Sequence, residues 1–266
     1  MRLAVVQVGD VPAEVPARAA HCLGTLQTCA EAAADLVVFP ELYLGGYVLD
    51  QQLTLKAEQA ARVLGRLQAA VDELGVSAVL GLPLRLGAAL LNGVAVLCPG
   101  APARFSGKTH LFQAEKEWFA PGRDLWQGEI AGWPCGLVVC YELGFPEVAR
   151  VLALRSVRLL LAPAAFAARR EHIWRTATVA RALENGCYLA AANHSGPSPG
   201  GEFLGASRIV DPRGSVVAAA NAGNEVVYAD LDSSLIDEVR GGEGGGHTYF
   251  ADRRPELYGE ISQPAV

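Results

Sequence analysis

The chain of 266 residues has no C-x-x-C pair, no dense lysine–arginine cluster, no apolar run approaching a membrane span, and no His/Cys/Asp group at ligand spacing. Each absence removes a class of function. Without clustered cysteines and histidines, a zinc site or thioredoxin-like redox motif has no sequence support. Cysteines occur at 22, 29, 98, 135, 140 and 187, several of them inside apolar runs where reduced, buried thiols are expected. A chain this long needs no disulfide staples to complete a core, so the expected setting is reducing and cytoplasmic. The formal charge is −6 and no basic patch offsets it, which argues against a nucleic-acid partner and against a polybasic membrane contact. Spanning a bilayer takes about 20 apolar residues in succession, and the apolar stretch within residues 1–8 is also too short for a signal-peptide core. The glycine-rich stretch at 241–246 does not spell G-x-G-x-x-G and follows no strand, so nucleotide binding has little support. A small or neutral ligand is the expected partner.

The composition is 51% hydrophobic and 19% charged, that of a globular chain long enough for one large domain, taken as 1–266. Residues 3–8 and 36–39 read as buried strands, and 15–34 and 55–74 carry apolar residues at helical spacing, the second stopping at Gly75. Strands follow at 77–82 and 90–97, and a short run through Phe105 leads to Lys108. Residues 115–126 mix charge with Trp118, Phe119 and Trp126, which suggests a loop or short helix near a cavity. A strand at 136–139 runs into Cys140, and Pro146-Glu147 suits the first turn of a helix. Further on, 158–161 and 187–192 read as strands and 170–185 as an amphipathic helix. A Gly/Pro/Ser loop reaches Gly201, and Asp211-Pro212-Arg213-Gly214 fits a type I turn in a hairpin completed by 216–219 and 226–229. Strands alternate with helices and then give way to hairpins, the pattern of a mixed α/β sandwich.

Glu41, Lys108 and Cys140 share a setting, since each lies at or just past the end of an apolar run, where reactive groups of α/β folds gather. A carboxylate can take a thiol proton, an ammonium can hold a developing oxyanion, and a cysteine can attack. Singly, each has a plainer explanation: a solvated helix cap, a surface charge, a core filler. Together they form a chemical set.

Three segments carry a resemblance. FPELYLGGY (39–47), GKTHLF (107–112) and VCYELGFPE (139–147) resemble, in order and spacing, the signature segments of the nitrilase, or carbon–nitrogen hydrolase, superfamily. EKEWFAPG (115–122), PAAF (163–166), HIW (172–174), RALEN (181–185), AAN (191–193), FLGASRIVDPRG (203–214) and DRRPELY (252–258) extend the similarity over nearly the whole chain. The resemblance implies a four-layer αββα sandwich that pairs into an αββα-αββα dimer, or a higher homo-oligomer, and cofactor-free hydrolysis of non-peptide carbon–nitrogen bonds. Carried over by position, Glu41 is the general base, Lys108 the oxyanion stabiliser and proton donor, and Cys140 the nucleophile. Glu115 matches a second glutamate that orients substrate and water, and the backbone N–H of Tyr141 is the expected second oxyanion donor. Tyr141-Glu142 after the nucleophile, where true nitrilases tend to carry Trp-Glu, points toward amidases. KTHLF and DRRPELY resemble the aliphatic amidases. Glu142 stands where many relatives have Asp and Gly144 where many have Arg, a departure in the loop around the nucleophile.

The leading expectation is therefore hydrolysis of a small aliphatic carboxamide through a cysteine thioester. A nitrilase or an N-carbamoyl-amine hydrolase would use the same three residues, and a catalytically silent amide-binding or assembly protein is the alternative of another kind. Tyr47, Trp118, Phe119 and Trp174 are suited either to line a pocket or to pack in a core. Asn193, ending a strand, suits either substrate or the backbone. Of the histidines, His110 is nearest a catalytic segment. Arg181 and Glu184 are spaced for a structural ion pair.

Overall fold

Alternation along the first apolar run sets the architecture. In the computed structural model, which describes residues 1–12 and 14–263, this run is strand β1 (Arg2–Gln7). Its side chains leave on opposite faces, as the pleat requires. Leu3 and Val5 enter one apolar cluster, while Ala4 and Val6 enter another. A strand apolar on both faces has to be covered on both.

The first half continues with α1 (Val15–Glu31), β2 (Leu36–Val38), α2 (Leu53–Leu74), β3 (Ser77–Leu86), β4 (Ala89–Leu97) and β5 (Arg104–Gly107). A single turn, α3 (Glu115–Trp118), leads to β6 (Gln127–Ile130), β7 (Trp133–Leu137), α4 (Pro146–Leu154), β8 (Leu159–Ala164), α5 (Glu171–Leu183) and β9 (Tyr188–Asn193). The remainder is β10 (Ser195–Ser198), β11 (Gly201–Leu204), β12 (Arg208–Val210), β13 (Val216–Ala219), β14 (Glu225–Asp230) and α6 (Ser233–Arg240).

Two six-stranded sheets result, ordered β14-β1-β2-β3-β4-β5 and β13-β12-β9-β8-β7-β6. Each has three parallel strands at its centre, β1-β2-β3 in one and β7-β8-β9 in the other, flanked by antiparallel neighbours. Between the sheets lie Leu3, Val5, Val38 and Val79 from one side and strand residues such as Leu161 and Ala190 from the other. On the outer face of the first sheet, Cys22 and Leu26 of α1 and Leu67 and Val71 of α2 pack against Val37 and Leu80. Val148 and Leu152 of α4 and Trp174 and Ala177 of α5 join the core of the second sheet. The layers are αββα, as the resemblance implied.

Local chemistry places the helix ends. Pro146 opens α4, where its missing N–H costs nothing. Gly75 ends α2 in the left-handed region (φ +69°), its N–H bonded to Val71 O at 3.0 Å. The Asp211–Gly214 turn closes as expected, Gly214 N to Asp211 O at 2.9 Å, and joins antiparallel β12 and β13.

Three features differ from the sequence expectations. The Gly/Pro/Ser stretch contains a hairpin, β10–β11, because a backbone ladder needs no apolar side chains. Strand β6 and helix α6 carry no long apolar pattern that marks them in the sequence: β6 is mostly polar, with only Ile130 buried, and α6 is short, capped by the Asp232 carboxylate accepting from Ser234 N. The strand before Cys140 ends at Leu137, and Cys140–Gly144 forms a short 3-10 turn before α4.

Candidate active site

The C-terminal ends of the central parallel strands in both sheets point to one region, and the site residues lie just beyond them. After β2, Phe39 N bonds Val79 O at 2.8 Å, and the chain then turns through Pro40 to Glu41. The turn is tight. Leu42 takes φ +48°, and Gly81 of β3 lies so close that a Cβ there would be 2.3 Å from Pro40 O. Only glycine leaves room for this approach. His194, just past β9, has its Nε2 2.8 Å from the Glu41 carbonyl oxygen, holding the same turn from the second sheet. Burial drives the pKa of His194 down to about 3, so the ring is neutral and its Nε2–H donates to that carbonyl.

The Glu41 side chain is fully buried and its oxygens are occupied. Oε1 accepts from Lys108 Nζ at 2.6 Å and from Asn92 Nδ2 at 2.8 Å, and Oε2 accepts from the Ala165 N–H at 3.0 Å. Lys108 follows β5, its N–H bonded to Asn92 O and its carbonyl accepting from Gly122 N, both at 2.8 Å. Its ammonium also lies 2.9 Å from Glu115, the first residue of α3. Glu115 in turn accepts from the Phe112 N–H at 2.8 Å and the Tyr47 hydroxyl at 2.6 Å. Burial opposes the charge on Lys108, but Glu41, Cys140 and Glu115 outweigh it and raise the pKa, so the ammonium persists. Burial likewise raises the pKa of Glu41, against the pull of Lys108, and makes it a stronger base than a solvated carboxylate.

Cys140 opens the 3-10 turn with φ +49°, a conformation an L side chain adopts only under constraint. Its thiol lies among Glu41, Lys108, Glu115 and the Ala165 amide; burial and Glu41 raise its pKa well above the usual thiol value, so the resting group is protonated. The first backbone bond of the turn is made by Glu142 N to Val139 O at 3.0 Å, one residue beyond the Tyr141 N–H. Glu142 is the departure noted in the sequence, and its longer side chain is buried and fully used. It accepts from Val139 N at 2.7 Å, Thr109 N and Thr109 Oγ1 at 2.6 Å, and His110 N at 3.2 Å. Burial would raise its pKa, but the His110 side chain, the Thr109 hydroxyl and the Val139 and Thr109 N–H groups reverse the effect and lower it.

Above these groups is a cavity of about 410 Å³ lined by Cys140, Tyr47, Phe112, Phe166, Arg170 and Phe203, among others. Larger depressions of about 640 and 810 Å³ hold none of Glu41, Lys108, Glu115 or Cys140. Tyr47, one of the aromatics suited either to a pocket or to a core, lines this cavity.

Two expectations need correction. Asn193 does not face the cavity: its Oδ1 accepts from Phe166 N at 2.7 Å and its Nδ2 donates to Gly205 O at 2.8 Å. A fully buried amide at a strand end is taken up by the loops around it. Trp118 packs against the small cluster of Leu42, Leu53, Leu111 and Phe119 and is not among the residues lining the cavity. Trp174 belongs to the core. His110 stacks on Phe145 with its Nδ1 2.8 Å from Thr109 Oγ1, and Arg181 pairs with Glu184 at 2.9 Å. Asn92 and His194 were missed as site residues. Asn92 had a signal, a lone amide inside the apolar run of β4. Among the described residues no group of three or more His, Cys, Asp or Glu is placed to hold a metal, and no helix is long and apolar enough to cross a membrane.

The family model for carbon–nitrogen hydrolases matches residues 2–241, and the chain belongs to that family. It is 33% identical over 270 residues to a hydrolase encoded in the pqqF 5′ region of Pseudomonas protegens, covering 99% of this chain and 92% of the relative. It is 31% identical to an (R)-stereoselective amidase of a Pseudomonas species, covering 99% and 95%. Among solved structures, a double mutant of the amidase from a Nesterenkonia species, in complex with acrylamide, superposes with TM-score 0.86 at 28% identity, over 97% of this chain and 95% of that one.

Proposed function

We propose that this chain, as one hydrolase domain over 1–266, converts a small aliphatic carboxamide to its acid and ammonia through a thioester on Cys140. The observation that carries the reading is the Lys108 ammonium, bonded at 2.6 Å to Glu41 and 2.9 Å to Glu115, beneath a cavity whose wall includes Cys140. The Cys140 thiol gives its proton to Glu41 as sulfur attacks the amide carbon. Lys108 Nζ and the Tyr141 N–H hold the oxyanion, and Glu115 keeps Lys108 and the substrate in line. The proton passes from Glu41 to the leaving nitrogen as the carbon–nitrogen bond breaks, leaving the thioester and free ammonia. Water then gives a proton to Glu41, attacks the thioester and expels the thiolate, which is reprotonated as the acid departs.

The raised pKa values of Cys140 and Glu41 support this order, because the thiol stays neutral until substrate is in place and the base is strong when it is needed. Support also comes from the Nesterenkonia amidase, which has been solved in complex with butyramide and with the acetamide moiety of fluoroacetamide added at its active-site cysteine. Pairing into a dimer in the cytoplasm belongs to the same proposal: Leu154 of α4 and Leu183 of α5 are large apolar side chains left exposed on the outer layer. Light scattering tests the pairing.

The test of the chemistry is ammonia release from a panel of amides, nitriles and N-carbamoyl amines. Linear amides should be turned over, Cys140→Ala should abolish release, and rapid quenching should trap an acyl adduct on Cys140 by mass. A folded Cys140→Ala protein with unchanged turnover would overturn the mechanism.

A further inference from the structure

Arg170 immediately precedes α5 and lies over three aromatic rings, its guanidinium carbon 4.8 Å from the centre of Phe112, 4.9 Å from Phe166 and 5.8 Å from Tyr141. Phe112, Phe166 and Arg170 itself line the cavity that contains Cys140. The ring faces attract the cation and hold it in place, yet they take none of its directed N–H donors. Other partly buried arginines are tied to the backbone: Arg18 donates to Pro12 O, Arg181 to Leu143 O and Arg240 to Asn185 O. Among the described residues the Arg170 guanidinium has no hydrogen-bond acceptor and no carboxylate partner. A planar fork of donors, fixed by stacking and open toward a reactive cavity, is suited to bidentate capture of a carboxylate. The other charged groups lining the cavity are Arg169 and Glu202, so the lining is cationic on balance. Beneath it, Glu41 and Glu115 share the Lys108 ammonium.

We propose that Arg170 is a specificity-determining residue that reads a carboxylate on the acyl chain, and that the preferred substrate is a monoamide of a short dicarboxylic acid. This rests on the amidase reading above and narrows it: the amide end meets Cys140 while the acid end meets the Arg170 fork. The reaction is otherwise unchanged, and its product is a dicarboxylate with ammonia.

The experiment compares the monoamide of glutaric acid with pentanamide, which has the same chain length and no charge. It measures kcat/KM with the wild type, Arg170→Met and Arg170→Lys, and Kd for both amides with Cys140→Ala. Wild type should favour the anionic amide by roughly 10- to 100-fold, the worth of a charge-assisted hydrogen-bond pair. The ratio should fall toward one in Arg170→Met, recover in part in Arg170→Lys, and shrink with added salt in the wild type. Arg170→Gln repeats the test if methionine unsettles the loop. A wild-type ratio at or below one, or a ratio untouched by removing the charge, overturns the assignment. Turnover of pentanamide without preference sinks this inference alone; failure to hydrolyse either amide, or any in the panel, sinks the amidase reading with it.

Discussion

Glu142, two residues after Cys140, accepts hydrogen bonds at 2.6 Å from both the N–H and the hydroxyl of Thr109, the neighbour of Lys108. The turn that carries the thiol and the loop that carries the ammonium are therefore joined by one buried carboxylate, although they are far apart along the chain. A carboxylate one methylene shorter at position 142 would not reach as far, so the bridge between the two loops depends on the length of the glutamate.

Glu142→Gln keeps the side-chain shape but replaces one acceptor oxygen with a donor facing N–H groups. The expected loss is about 2–4 kcal/mol of stability, with kcat/KM down at least tenfold as the two loops separate. The depressed pKa of Glu142 gives a pH signature. A group lowered on folding adds stability that is present above its unfolded value of about 4.5 and lost as pH falls through the lower folded value. Denaturant midpoints measured from pH 7 down to pH 3 should thus show less acid sensitivity in the variant over the lower part of that range.

His194 has the opposite charge type and the same sign of dependence. Its folded pKa of about 3 lies below the ordinary 6.5, so between these values the unfolded chain binds the extra proton and stability falls as pH falls. His194→Gln should flatten the stability curve between pH 6.5 and 4 and also weaken the hold on the Glu41 carbonyl, lowering kcat by several-fold at pH 7.5. Urea unfolding at pH 5 and pH 7.5, with wild type alongside, checks both halves. An unchanged slope would show that His194 does not titrate as its burial requires.

Gly81→Ala is expected to be severe for so small a change. Its Cβ would fall 2.3 Å from Pro40 O and 2.4 Å from Leu42 N, both backbone atoms that cannot rotate away. The turn carrying Glu41 must shift, which should cost roughly 2–4 kcal/mol and more than tenfold in kcat. Gly65→Ala, at a helical glycine whose added Cβ meets nothing within 4 Å, is the control and should leave both unchanged or raise the melting temperature. Calorimetry and steady-state rates on the two variants separate a backbone clash from a general effect of losing glycine.

Asn92 donates to Glu41 Oε1 at 2.8 Å and lies 3.4 Å from Glu115 Oε1, so it helps keep two buried carboxylates apart on either side of one ammonium. Asn92→Ala removes a donor from the Glu41 carboxylate, so it should raise the proton affinity of Glu41 and move the acid limb of the kcat–pH profile upward, with kcat reduced roughly 10- to 100-fold. Asn92→Asp should be worse, since a third carboxylate would compete for Lys108. A variant with an unshifted profile would mean that Asn92 has no part in setting the state of Glu41.

Much of this molecule was legible in the order of its residues. The alternation through β1, the helical spacing in α1 and α2, Gly75 at a helix end and Pro146 at a helix start all express local rules, and the folded chain follows them. Glu41, Lys108 and Cys140 could be picked out because each follows an apolar run in a segment resembling a known signature. What local rules could not supply were features that depend on a neighbour from elsewhere. The β10–β11 hairpin is paired through its backbone, and the positive φ of Cys140 is imposed by the turn between β7 and α4. An aromatic such as Trp118 looks the same in a sequence whether it lines a cavity or fills a core.

From the sequence alone came the chemical inventory and the layering: which groups can attack, accept a proton or carry charge, and which runs must be covered on both faces. Only the folded chain decided how they meet, because burial, hydrogen-bond direction and the orientation of a fork such as Arg170 are set by atoms distant along the chain. Asn193 turned to the backbone and Arg170 to the cavity for that reason, their surroundings rather than their types fixing what each does.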